Sequence, residues 1–239
     1  MRIFLVRHGQ TDANLEARYC GRTDVPLNGE GREQARALRP LLLGRTFEAV
    51  YASPLSRAVE TASLLLEDPD APPPAGLTTA ERAARNGILL EDALLEHDFG
   101  RFENLTRDRI AAAAPEEMAR WNADFMGYVF PGGESAIGMF ARVGAFGADL
   151  VRRHKGDVLV VSHMGPTVAL IASLIGLPDR HMWRLRAGNA SLSRVVVGDD
   201  GYAFLDLLNI RPYRPEAKKD AWSKAGRMRL PEPNSVDGV

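Results

Sequence analysis

The chain has 239 residues, of which 45% are hydrophobic and 26% charged, and its formal net charge is −1. This composition excludes a disordered or fibrous protein, the length suits one large domain, and the near-zero charge gives no overall field to attract nucleic acid or an anionic membrane. The single cysteine, Cys20, excludes an intrachain disulfide, and the N-terminal apolar stretch is too short for a signal peptide or a membrane span, so we expect a cytoplasmic protein.

The first part of the chain alternates predicted strands and helices. Continuous apolar residues at 3–6 predict a strand that is covered on both faces. Asn28 is a candidate N-cap for the helix that follows it. Residues 48–52 predict a second strand, and Ser53 is the candidate cap of a helix over 55–66. This alternation favours an α/β sheet.

The rest of the chain begins with a proline-rich segment at 68–74, which predicts a surface loop. The further predicted elements are a short helix at 78–85, an edge strand at 88–94, helices at 108–125 (interrupted near Pro115) and 138–154, a buried strand at 158–161, a helix at 167–175, and a hairpin of strands at 191–197 and 202–208. Residues 212–239 lack periodicity and predict a tail.

Polar side chains directly follow three of the predicted strands. Arg7 and His8 come after the first strand, Arg57 lies in the first turn of the helix after the second, and His163 follows a later buried strand. Because ligands bind beyond the carboxyl ends of strands in an α/β sheet, we expect these side chains to converge. Arginine can donate two hydrogen bonds to phosphate oxygens, and a helix N-terminus favours the same anion. With Asn14 nearby in sequence, the pattern predicts an anion site, at which Gly9 would allow close approach of the backbone to a ligand.

A fourth cluster, at residues 94–106, places carboxylates beside aromatic side chains, a setting that can raise a carboxyl pKa. Glu96 is the candidate acid, and His97, Asp98 and Glu103 stay open as alternatives. Each cluster alone also has an ordinary structural interpretation, such as a solvated helix residue for Arg57. Their conjunction, in this order along the chain, is what indicates function.

That conjunction resembles the histidine phosphatase superfamily, also called phosphoglycerate-mutase-like, from residue 1 to about residue 209. Residues 5–11, 53–62 and 162–163 carry the resemblance, and matching stretches lie at 24–28, 132–135 and 189–192. The resemblance implies an α/β fold with three α/β/α layers, a mostly parallel sheet and a small helical cap at roughly 97–137. It further implies one domain over residues 1–211, followed by the tail at 212–239.

The resemblance also implies a mechanism. His8 would attack phosphorus and form a phosphohistidine, which water then hydrolyses. Arg7, Arg57 and His163 would surround the phosphoryl group, with Asn14 as a further donor, and Glu96 would serve as acid and then base. No cluster has metal-ligand spacing, so neither a metal nor another cofactor is expected.

Three positions depart from the family pattern. Met164 stands where a small residue is usual, Asn104 replaces a common glycine, and Cys20 precedes Gly21 in a segment where relatives place a polar substrate contact. Met164, Cys20 and Gly21 are therefore candidate substrate contacts. The alternative for Cys20 is a small buried hydrophobic residue.

Three functions are compatible with these motifs. The cap sequence and the short segment between Glu96 and Ser135 favour a metal-independent phosphatase that acts on a small phosphate ester, with similarity to the α-ribazole phosphatase branch and to broad-specificity phosphatases. A phosphoglycerate mutase is the main alternative, and a non-catalytic protein that binds partners through a phosphate pocket is the third. We expect no nucleic-acid or membrane partner, and the sequence leaves the oligomeric state open, with a homodimer as one option.

Overall fold

The computed structural model describes residues 1–67 and 76–213, so the predicted loop at 68–74 and residues 214–239 of the predicted tail lie outside the described residues. The helices and strands, in chain order, are β1 (Arg2–Arg7), α1 (Asp12–Leu15), α2 (Gly29–Leu38), β2 (Ala49–Ala52), α3 (Ser56–Leu66), α4 (Thr79–Arg85), β3 (Ile88–Leu90), α5 (Arg107–Ala113), α6 (Pro115–Ala123), α7 (Ala136–Arg153), β4 (Val158–Ser162), α8 (Met164–Leu174), β5 (Leu192–Val197) and β6 (Ala203–Ile210). Short 3-10 helices lie at Arg39–Leu41, Asp92–Leu94, Gly100–Phe102 and Asp179–Arg184.

The strands form one six-stranded sheet in the order β3-β2-β4-β1-β5-β6. β3, β2, β4 and β1 are mutually parallel, whereas β5 is antiparallel to both β1 and β6. The prediction of a mostly parallel sheet, closed by a hairpin, is confirmed. Arg7 is the register partner of Ser162, so β1 and β4 end at the same level of the sheet.

Helices cover both faces of the sheet, as the three-layer prediction requires. Alternate residues of β1 enter different apolar clusters: Ile3 and Leu5 pack on the side of α7 and α8, and Phe4 and Val6 pack on the side of α2 and α3. This alternation explains why β1 reads as a continuous apolar run. The apolar residues that repeat at helical spacing along α7 are all buried, namely Met139, Val143, Phe146 and Leu150.

The start of α3 differs from the prediction. Ser53 does not cap this helix, because the chain stays extended through Leu55 and α3 begins at Ser56. The backbone N–H and the hydroxyl of Ser56 instead donate to Asp24 Oδ1, at 2.9 and 2.7 Å. A carboxylate more than thirty residues away in sequence therefore takes the capping role.

Two further boundaries also shift. α8 begins at Met164, three residues before the predicted start, because Pro166 lies in the first turn, where its missing N–H costs nothing. The strand predicted over 88–94 ends at Leu90, where the Glu91 side chain accepts from the Ala93 N–H and starts a 3-10 helix.

The segment predicted as a cap contains α5 and α6 and has its own apolar cluster. The buried members are Phe102, Ile110, Met118, Trp121 and Phe130. Asn104, which departs from the expected family pattern, has a φ of +68°, a conformation that asparagine tolerates better than most side chains. Within residues 1–67 and 76–213, none of the helices combines the length and the apolar character needed to cross a bilayer.

Candidate active site

The ends of β1 and β4 bring two histidines together. The backbone N–H of His8 donates to the Ser162 carbonyl, and His163 follows directly. The ring centroids of His8 and His163 are 5.0 Å apart. Both side chains are almost completely buried, so the predicted convergence at one sheet edge is present in the structure.

His8 has a defined tautomer. Its Nδ1 lies 2.6 Å from the Gly9 carbonyl oxygen, which can only accept, so Nδ1 carries the hydrogen and Nε2 keeps its lone pair. Burial lowers the pKa of His8 well below the usual 6.5, and the positive charges of Arg57 and Arg7 lower it further. His8 is therefore a neutral imidazole whose Nε2 is available for attack near neutral pH.

Arg57 is buried, with 2% of its surface exposed, so it is not a solvated helix residue. Its Nε donates to His163 Nδ1 at 3.2 Å. Its two terminal nitrogens donate to carbonyl oxygens of residues 20–23, a segment we call the strap: to Thr23 at 2.9 Å, to Gly21 at 2.9 Å and to Cys20 at 3.3 Å. The guanidinium is thus held from one side by the strap, next to the histidine pair.

His163 has partners on both ring nitrogens. Since Nδ1 accepts from Arg57, Nε2 carries the hydrogen and donates to Ser53 Oγ at 2.8 Å. Burial lowers the pKa of His163 well below its usual value, and the charge of Arg57 adds to this effect. The prediction of Ser53 as a helix cap missed this contact, which depends on the neighbouring ends of β2 and β4.

Arg7 and Asn14 are tied to the segment before β5. Arg7 Nη1 donates to the Ala187 carbonyl at 2.8 Å. The Asn14 amide oxygen accepts from the Thr11 N–H and from Asn189 Nδ2, at 3.1 and 2.9 Å, so its NH2 group is the part left to donate to an anion.

Asn189 was noticed in the sequence only as part of a matching stretch. Its Nδ2 also lies 3.3 Å from both the His8 and the Gly9 carbonyl oxygens. One amide group therefore contacts Asn14, His8 and the carbonyl that sets the His8 tautomer.

Gly9 has a different role from the expected one. A Cβ at Gly9 would lie 2.2 Å from the Gly31 carbonyl oxygen. The absence of a side chain is therefore needed for the packing of the β1 turn on α2, rather than for the approach of a ligand.

Glu96 lies at the N-terminus of α8. Its Oε1 accepts from the backbone N–H groups of His97 and Gly165, at 2.9 and 3.2 Å. Gly165 is two residues after His163, and a Cβ there would lie 2.5 Å from Glu96 Oε1. The carboxylate is thus held beside the turn that carries His163.

The alternative acids are engaged elsewhere. His97 donates from Nε2 to the Glu134 carbonyl at 3.0 Å, and burial lowers its pKa. Asp98 Oδ1 accepts from the Gly100 N–H at 2.8 Å. Glu103 accepts hydrogen bonds from the strap. Of the four candidates, Glu96 is the one that contacts the start of α8.

The three candidate substrate contacts lie around this site. Cys20 is half-buried, its Sγ lies 3.4 Å from the Thr23 carbonyl oxygen, and burial raises the pKa of its thiol. The Gly21 N–H donates to Glu103, and a Cβ at Gly21 would lie 1.9 Å from the His97 carbonyl oxygen. Met164 is the first residue of α8 and is half-buried. Contact of these residues with a substrate stays a prediction.

The site combines a neutral imidazole nitrogen with buried guanidinium groups. These are the groups needed for phosphoryl transfer to a histidine, which depends on positioning and on stabilisation of negative charge. In the part of the chain that the structure describes, no group of three or more His, Cys, Asp or Glu side chains is arranged to hold a metal ion. Fold and site together define an α/β protein with a buried histidine pair beside guanidinium groups at one edge of the sheet.

Comparison with known proteins gives a consistent picture. Residues 3–210 match the histidine phosphatase superfamily (branch 1). The adenosylcobalamin/alpha-ribazole phosphatase of Escherichia coli (strain K12) is 34% identical over 212 residues, which are 88% of this chain and 97% of that protein. Phosphoserine phosphatase 1 of Hydrogenobacter thermophilus is 29% identical over 208 residues, 87% of this chain and 92% of that protein. The crystal structure of the alpha-ribazole phosphatase from Shigella flexneri aligns with a TM-score of 0.77 at 32% identity and covers 91% of this chain and 100% of that one.

The chain therefore belongs to the histidine phosphatase superfamily, branch 1. It is a phosphoric monoester hydrolase, and the preference for a phosphatase over a mutase is confirmed.

Proposed function

We propose that this phosphatase hydrolyses α-ribazole phosphate through a phosphohistidine on His8. The arrangement of His8 carries the proposal: its Nδ1 is fixed on the Gly9 carbonyl, its Nε2 is free to attack, and the His163 ring centroid is 5.0 Å away. The relatives support α-ribazole phosphate as the substrate, because alpha-ribazole phosphatases are similar to this chain over nearly their whole length.

The reaction has two steps. His8 Nε2 attacks phosphorus, the phosphorus–ester oxygen bond breaks, and the leaving oxygen takes the proton of Glu96. The Glu96 carboxylate then accepts a proton from a water molecule, whose oxygen attacks the phosphohistidine, releasing inorganic phosphate and restoring His8. Arg7 and Arg57, with the NH2 group of Asn14, stabilise the charge on the transferring phosphoryl group. His163 joins them when its Nε2–H turns from Ser53 Oγ to a phosphoryl oxygen. Cys20, Gly21 and Met164 would contact the rest of the substrate.

We expect residues 1–211, with a cap at roughly 97–137, to be sufficient for the reaction, as the predicted boundary before the tail at 212–239 implies. The proposed substrate is a small metabolite, which fits a cytoplasmic location. A homodimer stays a prediction, which light scattering coupled to size-exclusion chromatography tests.

A substrate panel in EDTA tests the reaction class and the substrate. The panel contains α-ribazole phosphate, phosphoserine, a set of sugar phosphates, p-nitrophenyl phosphate, and 3-phosphoglycerate with 2,3-bisphosphoglycerate, each scored by kcat/KM. The proposal expects the highest value for α-ribazole phosphate. A clear preference for phosphoserine would overturn the proposed substrate and leave the proposed hydrolysis intact, in line with the phosphoserine phosphatase among the relatives. Conversion of 3-phosphoglycerate alone would indicate a mutase, and no turnover at all would favour a binding protein.

Substitution of His8 tests the mechanism. His8→Ala is expected to abolish turnover and to prevent trapping of an acid-labile phosphoenzyme, with the circular dichroism spectrum unchanged. Leu43→Ala is the control, because the Leu43 side chain is exposed and belongs to none of the contacts described at the site. Full activity of His8→Ala would contradict the mechanism.

A further inference from the structure

Glu103 holds the strap from the side opposite to Arg57. It follows the 3-10 helix at Gly100–Phe102 in the cap segment. Its carboxylate accepts from the backbone N–H of Gly21 at 3.0 Å, of Arg22 at 3.1 Å and of Thr23 at 3.1 Å, and from the Thr23 hydroxyl at 2.7 Å. A single carboxylate thus binds consecutive backbone amides of one short segment.

The two charged groups use opposite ends of the strap's peptide groups. The N–H groups donate to the Glu103 carboxylate, while carbonyl oxygens of the same segment accept from the Arg57 guanidinium. Such peptide groups are polarised by both charges, which strengthens the hydrogen bonds at each end. The strap therefore joins an anion in the cap to a buried cation beside the histidine pair.

The strap has little freedom to move between these groups. A Cβ at Gly21 would lie 1.9 Å from the His97 carbonyl oxygen and 2.6 Å from Glu103 Oε1, so its backbone is packed directly against the cap. On the other side, Arg57 Nε reaches His163 Nδ1 at 3.2 Å. A displacement of the strap would remove the carbonyl oxygens that orient the guanidinium.

We propose that Glu103 is a positioning residue that orients Arg57 in the phosphoryl site through the strap, without contacting the substrate. The inference rests on the proposed function, because it takes Arg57 as a ligand of the phosphoryl group. It assigns the cap a part in catalysis: the cap carboxylate keeps a buried guanidinium at the geometry required for charge stabilisation.

Glu103→Gln is the first test. The glutamine NH2 would face backbone N–H donors, so part of the strap is released while side-chain volume is kept. With p-nitrophenyl phosphate, kcat/KM is expected to fall about 10–100-fold, the range found when groups that orient a reactive site are removed. Competitive inhibition by vanadate is expected to weaken as well. Glu117→Gln is the matched control: Glu117 also lies in the cap and binds the Tyr128 hydroxyl, so kcat/KM should stay within about twofold.

A double-mutant cycle separates positioning from a general structural effect. If Glu103 acts through Arg57, Glu103→Gln is expected to cause no further loss of kcat/KM in an Arg57→Ala background. Independent, multiplying losses would overturn the proposal, and so would wild-type activity of Glu103→Gln.

A milder variant covers the case in which Glu103→Gln fails to fold. Thr23→Val removes the hydroxyl bond to Glu103 and keeps the backbone bonds, so a smaller loss of kcat/KM is expected. In the Arg57→Ala background, Thr23→Val should cause no further loss. An inactive wild-type protein would refute the proposed function itself, whereas an active wild-type protein with an additive cycle would refute only the role of Glu103.

Discussion

Folding stability is expected to fall on the acid side of pH 6.5, because His8 and His163 stay neutral in the folded protein. Burial, and then the neighbouring guanidinium charges, hold both pKa values well below the ordinary 6.5. In the unfolded chain both side chains regain ordinary values and bind protons as the pH falls below 6.5. The unfolded state then binds more protons than the folded state, so stability that is present above pH 6.5 is lost below it.

The size of the effect follows from this difference in proton binding. Between pH 7.5 and pH 5.5, a histidine with an unfolded pKa of 6.5 that stays neutral when folded lowers the free energy of unfolding by about 1.4 kcal/mol. His8 and His163 together lower it by about 2.7 kcal/mol, a large share of a typical stability of about 5–15 kcal/mol. Urea unfolding followed by circular dichroism at each pH measures this change.

Single substitutions isolate each histidine from the other titrating groups. His8→Asn and His163→Asn each remove one titration, so the difference in unfolding free energy between wild type and variant should fall by about 1.4 kcal/mol from pH 7.5 to pH 5.5. Between pH 7.5 and pH 8.5 this difference should be constant, which is the internal control. A constant difference down to pH 5.5 would refute the reasoning that these side chains are buried without charge.

Three further substitutions test other parts of the structure. Gly165→Ala places a Cβ 2.5 Å from Glu96 Oε1, so kcat/KM with p-nitrophenyl phosphate should fall about 100-fold; unchanged activity would contradict the position of the carboxylate. Asn189→Ala removes a donor shared by three acceptors, and urea unfolding should show a loss of about 1–3 kcal/mol together with lower turnover. Leu150→Ala leaves a cavity under α7, and unfolding should show a loss of about 2–5 kcal/mol with kcat/KM unchanged, since Leu150 is a core residue near the C-terminal end of α7 and belongs to none of the contacts described at the site.

Elements with a clear local pattern could be predicted from the sequence. The buried residues of α7 repeat at helical spacing, and β1 and β4 contain uninterrupted apolar runs. In these segments the helix or strand that the sequence pattern predicts is also the one that buries the apolar side chains. Asn28 caps α2 as predicted, because its side chain needs only the Gly31 N–H three residues later. Such contacts are encoded within a few residues and need no knowledge of the rest of the chain.

The errors share one feature, which is a partner distant in sequence. Ser53 has the residue type and spacing of an N-cap, yet its hydroxyl binds His163, 110 residues away. Gly9 looks like a glycine for ligand approach, but its neighbour is the backbone of Gly31. In both cases the local interpretation is chemically sound, and a contact formed by packing overrides it.

The sheet, its covering helices and the imidazole with cations at the strand ends could be read from the sequence, because hydrophobic periodicity and residue type are properties of short segments. The folded chain was needed to find the proton position on His8, the bonds of Arg57 and of Glu103 to the strap, and the placement of Asn189. These features depend on hydrogen bonds between residues 34 to 181 positions apart. The proton position on His8 depends on the Gly9 carbonyl, which Asn189 contacts from 180 positions away. A donor and an acceptor that far apart meet only once the core has packed, so no short segment of the chain records their pairing.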